Sequence, residues 1–391
     1  MCLHRAGRVA PHARGSTSSA KPPRNARRRR ALDRCDRQSP RNPLPLFAAS
    51  TIPLTHRGRV RVGPVVHRHP LLSGRGKAIP SWGHNWVVVG VIVRFSRWPD
   101  RPFCLPILFR LYPNKQEAAK QRRRYRPRPE LAVEMLHRLC RHRKLRRFHA
   151  VADSAYGGQR VLCHLPSNCD LASRLGLIAR LYGPAPAPSR GRRGRPRRRG
   201  DRLPTPEAML AERCRRVTLD IYGRTEQARV SDRVARVYAA PEQPLRVVTV
   251  EALRGGRGRE VFYSTAADAT AEDVIQWYAW RWSEEVTFHD AKQQLGFEDP
   301  QGWTRQAVEH TAPVAMLLYS LIVLWFVREG HRHYRESPLP WYRSKARPSF
   351  RDMLVTLRRA SVRQQVLSLG LSGPGSRTSL AALGDAVAAV L

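Results

Sequence analysis

The 391-residue chain sets 71 Lys and Arg against 30 Asp and Glu, a formal net charge of +41. That is far more positive charge than solubility requires, so it argues for a polyanionic partner and against a general structural role. Seven cysteines, odd in number and irregular in spacing (2, 35, 104, 140, 163, 169, 214), form no CxxC pair. They exclude a zinc module or a disulfide framework and fit reduced thiols.

In chain order, residues 1–45 are rich in Arg, Pro and Ser, include Arg27-Arg28-Arg29-Arg30 and sustain no period of 2 or 3.6. They read either as a disordered basic DNA-binding tail or as translation from a wrong start or frame. No apolar segment of the secretory type opens the chain. Folded structure is expected from Leu46, with residues 59–66 (RVRVGPVV) as a first strand or hairpin edge. Two strong strands follow at 85–95 (NWVVVGVIVRF) and 103–111 (FCLPILFRL), dense in β-branched and aromatic residues. A helix fits 129–141, with Pro129 at its start and Leu131, Met135 and Leu139 on one side. A short strand at 148–152 then ends at Asp153. Strands followed by a helix and another strand imply an α/β layer fold. Strand ends of that kind gather ligands and metals. A cap on the following turn is the alternative role for Asp153.

Residues 183–206 form a basic low-complexity loop. Within it Arg192-Arg193-Gly194-Arg195-Pro196-Arg197 is similar to a minor-groove hook with a Gly-Arg-Pro core. The plainer reading is a basic linker that touches phosphates without sequence preference. Residues 207–266 hold three or four strand candidates, at 216–221, 229–239, 245–252 and 261–264, in the pattern of an antiparallel insertion. Helices are expected at 305–328, 348–367 and 377–390. The apolar run 313–327 is short for a membrane span and reads as a buried helix. No lipidation motif or basic amphipathic anchor suggests a membrane partner.

The stretch Trp277–Lys292 (WYAWRWSEEVTFHDAK) concentrates the chemistry. Thr270 and Asp273 make a capping box, and Gly296 marks an exit. At ~100° per residue, Tyr278, Arg281, Glu285 and Lys292 share a stripe about 60° wide on one helix. Glu284 points away from it. A carboxylate between two cations and a phenol suits a site for a metal and phosphates. The plain alternative is an exposed face of ion pairs.

The spacing Tyr278-x2-Arg281-x3-Glu285-x6-Lys292, with VADSAYG around Asp153, resembles the signature of insertion-sequence DDE transposases. The strands SWGHNWVVVGV and FCLPILFRLY are similar to that family too, over roughly residues 46–370. The resemblance implies an RNase H-like mixed sheet flanked by helices, with the antiparallel insertion preceding the last catalytic helix. The core would be split into 46–182 and 267–330, followed by a helical region at 331–391. It further implies a two-metal mechanism with Mg²⁺, which Mn²⁺ replaces. Asp153 and Glu285 would be catalytic metal ligands. Tyr278, Arg281 and Lys292, with Arg192, Arg193, Arg195 and Arg197 of the loop, would contact DNA. The implied partners are double-stranded DNA, at transposon ends and targets, and a second copy in a synaptic homodimer. The implied setting is the bacterial cytoplasm.

One departure stands out. The family's first Asp lies on the first core strand, often as Asp-Asp-Thr, whereas here the matching residues are Ala49-Ser50-Thr51. No acidic residue occurs between Asp36 and Asp100. The expectation is a truncated or frameshifted copy, with true frame resuming near Thr51 and catalysis impaired. The alternatives are a non-catalytic DNA-binding remnant and another RNase H-like nuclease.

Overall fold

A computed structural model describes residues 46–55, 65–68, 80–187, 196–221, 224–253, 258–297, 305–335 and 347–368. The Arg-rich segment 1–45, Arg192, Arg193, Arg195 and the expected helix at 377–390 lie outside the described residues. All the described residues belong to one unit, Leu44–Leu391.

The strands come first from pattern. β1 (Leu46–Thr55) and β3 (Pro80–Phe95) pair antiparallel, with Ser50 opposite Val88. β3 also pairs with β2 (Val65–Arg68) and β4 (Trp98–Tyr112). β1 pairs parallel with β5 (Phe148–Ala152), and β5 parallel with β6 (Cys169–Leu175). Beyond β6 the sheet does not end. Its edge is taken by β12 (Arg259–Ser264), then β11 (Ala240–Ala252) and β10 (Arg224–Val237), with β9 (Arg215–Ile221) also on β10. A short pair, β7 (Leu181–Tyr182) and β8 (Arg202–Leu203), closes the far edge. Among the described residues the fold is α/β, a twelve-stranded mixed sheet flanked by helices, compatible with an RNase H-like core. The antiparallel insertion extends the core sheet rather than standing apart from it.

Period-2 alternation sends successive β1 residues to opposite faces. Phe47 and Ala49 face the helix α2 (Arg128–Cys140), in a core that also holds Met135, Leu136 and Tyr263. The small helices α1 (Lys115–Lys120) and α3 (Gln159–Leu162) and a capped helix α4 (Pro206–Glu212) complete the described elements up to β9. Ala48 and Val151 face the other way, packing with Trp277, Tyr278 and Ala279 of α5 (Ala271–Trp280). α5 runs into α6 (Trp282–Gln294), which packs with α7 (Arg305–Arg328) over Trp86 and Val88. α8 (Phe350–Ser368) closes a fourth apolar cluster with α7 over Phe103 and Leu105.

α7 corrects one sequence expectation. Gln306–Arg328 is 23 residues of apolar helix, so length does not set it apart from a membrane span. One face packs inward, through Met316, Tyr319, Ile322, Val323 and Phe326, while Val314, Leu317, Leu318, Leu321 and Leu324 on the other face are exposed.

Gly90 shows how tightly β3 and β4 meet. The pairing slips between Val89 and Gly90, and a Cβ at Gly90 would stand 2.4 Å from Cys104 Sγ. Gly90→Ala is therefore expected to destabilise the fold by about 1–3 kcal/mol, read as a lower urea midpoint at constant slope.

Candidate active site at the Asp153 strand end

Two facts of register build the site. In the parallel pair, Ala49 stands beside Ala152, the last residue of β5, so Ser50 of β1 and Asp153, which caps the turn after β5, each follow the last paired residues of this pair. Ser50 shares parity with Ala48, so it faces the α5–α6 side of the sheet while Ala49 faces α2. Of the two residues where the family's first acid is expected, Ser50 is the one aimed at the helix that carries the acidic pair.

That helix differs from the expected continuous one. The Thr270–Asp273 capping box is present. The chain then divides at Arg281, where the expected stripe crosses from α5 to α6. The Arg281 amide is shared between the carbonyls of Trp277 (3.3 Å) and Tyr278 (3.2 Å). The Glu284 amide reaches back only three residues, to the Arg281 carbonyl at 2.9 Å. Ser283 adds a competing side-chain bond, donating its hydroxyl to the Trp280 carbonyl at 2.8 Å. Local tightening and a Ser that bonds backward are ordinary causes of a helix bend. α6 is then pinned to β4 by Thr287, whose hydroxyl lies 2.9 Å from the carbonyl of Cys104.

The bend and the pin decide where the acids go. Glu284 is fully buried, and neither of its carboxylate oxygens has a hydrogen-bond partner of good geometry. Burial pushes its pKa up to about 8. Arg281 and the nearby Ser50 hydroxyl oppose that rise, while Asp153 and Glu285 add to it. The Ser50 Oγ is itself buried without a partner. Three acids and Ser50 therefore act on one another around one sheet end.

Glu285, the expected catalytic acid, is 41% exposed at its side chain and pairs with Arg281 at 2.8 Å. Arg281 is only 11% exposed, with its charge held by Tyr278, Glu285 and Glu284 against the opposing effect of burial. Tyr278 is buried, 4.7 Å from the Phe262 ring, with the Arg281 guanidinium 5.1 Å and that of Arg174 5.9 Å away. Burial raises its pKa. Asp153 does cap the turn after β5, its Oδ1 accepting from the Ala155 amide at 2.8 Å, but its other oxygen is not used in that bond. Both roles weighed for it are thus compatible. Lys292 lies half-buried on α6, and Arg197 is exposed. The structure brings Asp153, Tyr278, Arg281, Glu285 and Glu284 together; Arg197 belongs to a different region, at the loop before β8.

Sequence reasoning passed over Glu284 and Ser50 as a pair. Their signal was present as two adjacent acids in WRWSEE and as Ser in the first strand. What was missing was which helix face meets the sheet. Tyr156 was also missed: it is buried behind Asp153, its hydroxyl bonded to Thr51 Oγ1.

A centre holding two divalent ions needs three carboxylates whose free oxygens converge. Here Ser50 stands at one position, the Glu284 carboxyl is buried, and Glu285 is tied to Arg281. Among the described residues no group of three His, Cys, Asp or Glu side chains is gathered closely enough to hold a metal ion. The residues present do not fit a two-ion centre.

Comparison with curated proteins gives no match for the chain. Residues 87–237, a stretch that contains Asp153 and the first half of the insertion but neither Ser50 nor Glu285, match the model of a family described as DDE superfamily endonuclease.

Proposed function

We propose that the chain is an insertion-sequence DNA transposase by descent whose strand cleavage is impaired because Ser50 occupies the place of the first acid. The observation that carries this reading is register. Ser50 follows Ala49, the partner of Ala152 at the end of β5, Asp153 follows Ala152, and both act on Glu284 of the α6 helix. The match of residues 87–237 supports a nuclease- or transposase-type function in general. The Tyr278, Arg281, Glu285 and Lys292 spacing supports the finer lineage. Excess charge of +41 supports DNA as the partner; a second copy in a synaptic complex and a cytoplasmic setting follow from the proposed lineage.

In this reading the basic side chains bind the phosphate backbone, Asp153 faces the scissile strand, and Arg281 holds the α6 acids in place. Truncating Arg281 then leaves Glu285 unpaired and Glu284 without its main opposing charge. Arg281→Ala is expected to cost about 1–2 kcal/mol of stability, from the lost packing of the buried Arg281 stem plus a solvent-screened pair with half-exposed Glu285, measured by thermal melting.

The experiment is filter binding to duplexes carrying the DNA ends that flank the gene, against unrelated duplexes, across salt. Preference for the ends is expected, with affinity falling on the order of 10³-fold between 50 and 200 mM salt if about six phosphates are contacted. Equal affinity for both duplexes would favour the other RNase H-like nuclease. A flat salt dependence would sink the DNA reading altogether.

A further inference from the structure

At the opposite end of the parallel strands lies a polar cleft of about 620 Å³. It is bounded by the start of β6, the β10–β11 turn and the segment before β8. Cys169, in its wall, stands level with Phe148 of β5, and Asp153 lies five residues beyond Phe148. At ~3.3 Å per residue, cleft and candidate active site are about 16 Å apart along the strands.

The rim of the cleft is a stack of rings and a cation. Tyr182 of β7 pairs with Arg236 of β10, and Tyr238 follows in the turn. Arg199 lays its guanidinium over both, 5.1 Å from the Tyr182 ring and 4.0 Å from the Tyr238 ring. Gly200 makes that approach geometrically accessible. A Cβ there would come within 2.1 Å of the Pro184 carbonyl oxygen. The backbone can thus close against Gly183, with the Gly200 amide 3.2 Å from the Gly183 carbonyl. Arg198, next in line, faces Glu242 at 3.5 Å inside the cleft.

Arg199 covers one face of Tyr238, yet that residue remains 65% exposed. An exposed ring in the lining of a wet cleft, held on one side by a cation, is a stacking platform. Gln159, Ser167 and Gln243 in the walls add donors and acceptors suited to a base edge. Arg198 adds charge for a phosphate. Bases stacked within a duplex do not present their faces, whereas unpaired ones do. We propose that this cleft binds an unpaired nucleobase of single-stranded DNA, stacked on Tyr238. The proposal rests on the DNA reading above and names the form of DNA that this second site takes.

The test uses the full chain and a labelled single-stranded oligonucleotide, beside the matching duplex, in fluorescence anisotropy. Tyr238→Ala is expected to weaken single-strand binding about tenfold or more, with duplex binding within about twofold of wild type. Tyr238→Phe, which keeps the ring, is expected to bind as wild type. Unchanged single-strand affinity in Tyr238→Ala would overturn the proposal, as would an equal loss for both forms of DNA. Retained duplex binding in that case leaves the DNA reading standing. A wild-type chain that bound neither form would overturn both.

Discussion

Glu284→Gln is expected to stabilise the protein at pH 8 and to flatten its stability between pH 5 and 8. The carboxyl has an ordinary value of 4.5 and is pushed up to about 8 by burial, so the folded state holds its proton where the unfolded chain has released it. The sign follows from that difference. Stability from this group is fully present below about pH 4.5 and is lost as pH rises toward 8. At pH 7 the accumulated loss is on the order of 3 kcal/mol, from about 1.4 kcal/mol per pH unit. Gln has no proton to lose, so the variant escapes that penalty. Urea unfolding at pH 5 and pH 8 measures it. Wild type and variant should converge at pH 5 and separate at pH 8. Parallel curves would mean that Glu284 is not held protonated by its surroundings.

Ser50→Asp is the second large effect, and its sign depends on divalent ions. Without them, a new carboxylate near Asp153 and facing buried Glu284 meets like charge and desolvation, offset only in part by Arg281, which already pairs with Glu285. A loss of about 2–4 kcal/mol is expected. With Mg²⁺ the same carboxylate completes a set of three acids at the sheet end. Binding to the folded state alone would restore about 2.7 kcal/mol at a hundredfold excess over Kd. Thermal melting with Mg²⁺ and with a chelator should therefore show a difference in Ser50→Asp and little in wild type. An equal response of the two proteins would mean that Ser50 does not mark the missing ligand.

Much of the fold was written locally. The runs NWVVVGVIVRF and FHAVA could be little but buried strands, and Thr270 with Asp273 could announce a helix without tertiary help. β6 escaped notice because CDLASRL mixes polar and apolar residues, and it becomes a strand only through its neighbours β5 and β12. The joining of the insertion to the core sheet is likewise a long-range pairing that no local pattern encodes. For the site, residue spacing located Tyr278, Arg281 and Glu285 on one stripe but treated the helix as straight and isolated. The bend at Arg281 and the Thr287 bond to β4 are tertiary facts. They turn Glu284 inward toward Ser50 and leave Glu285 at the surface with Arg281. Sequence alone placed the lost acid at Ala49 or Ser50. Strand parity separates them, since Ala49 packs toward α2 and Ser50 toward α6.

That Ser50, midway along β1, stands where a catalytic carboxylate is missing is tested most directly by strand cleavage. Wild type, Ser50→Asp and Ala49→Asp would be incubated with labelled duplex carrying the flanking DNA ends, with and without Mg²⁺. The account predicts Mg²⁺-dependent cleavage by Ser50→Asp, at least about 10²-fold above wild type, and none by Ala49→Asp. Cleavage by the wild-type chain at the rate of Ser50→Asp would contradict it.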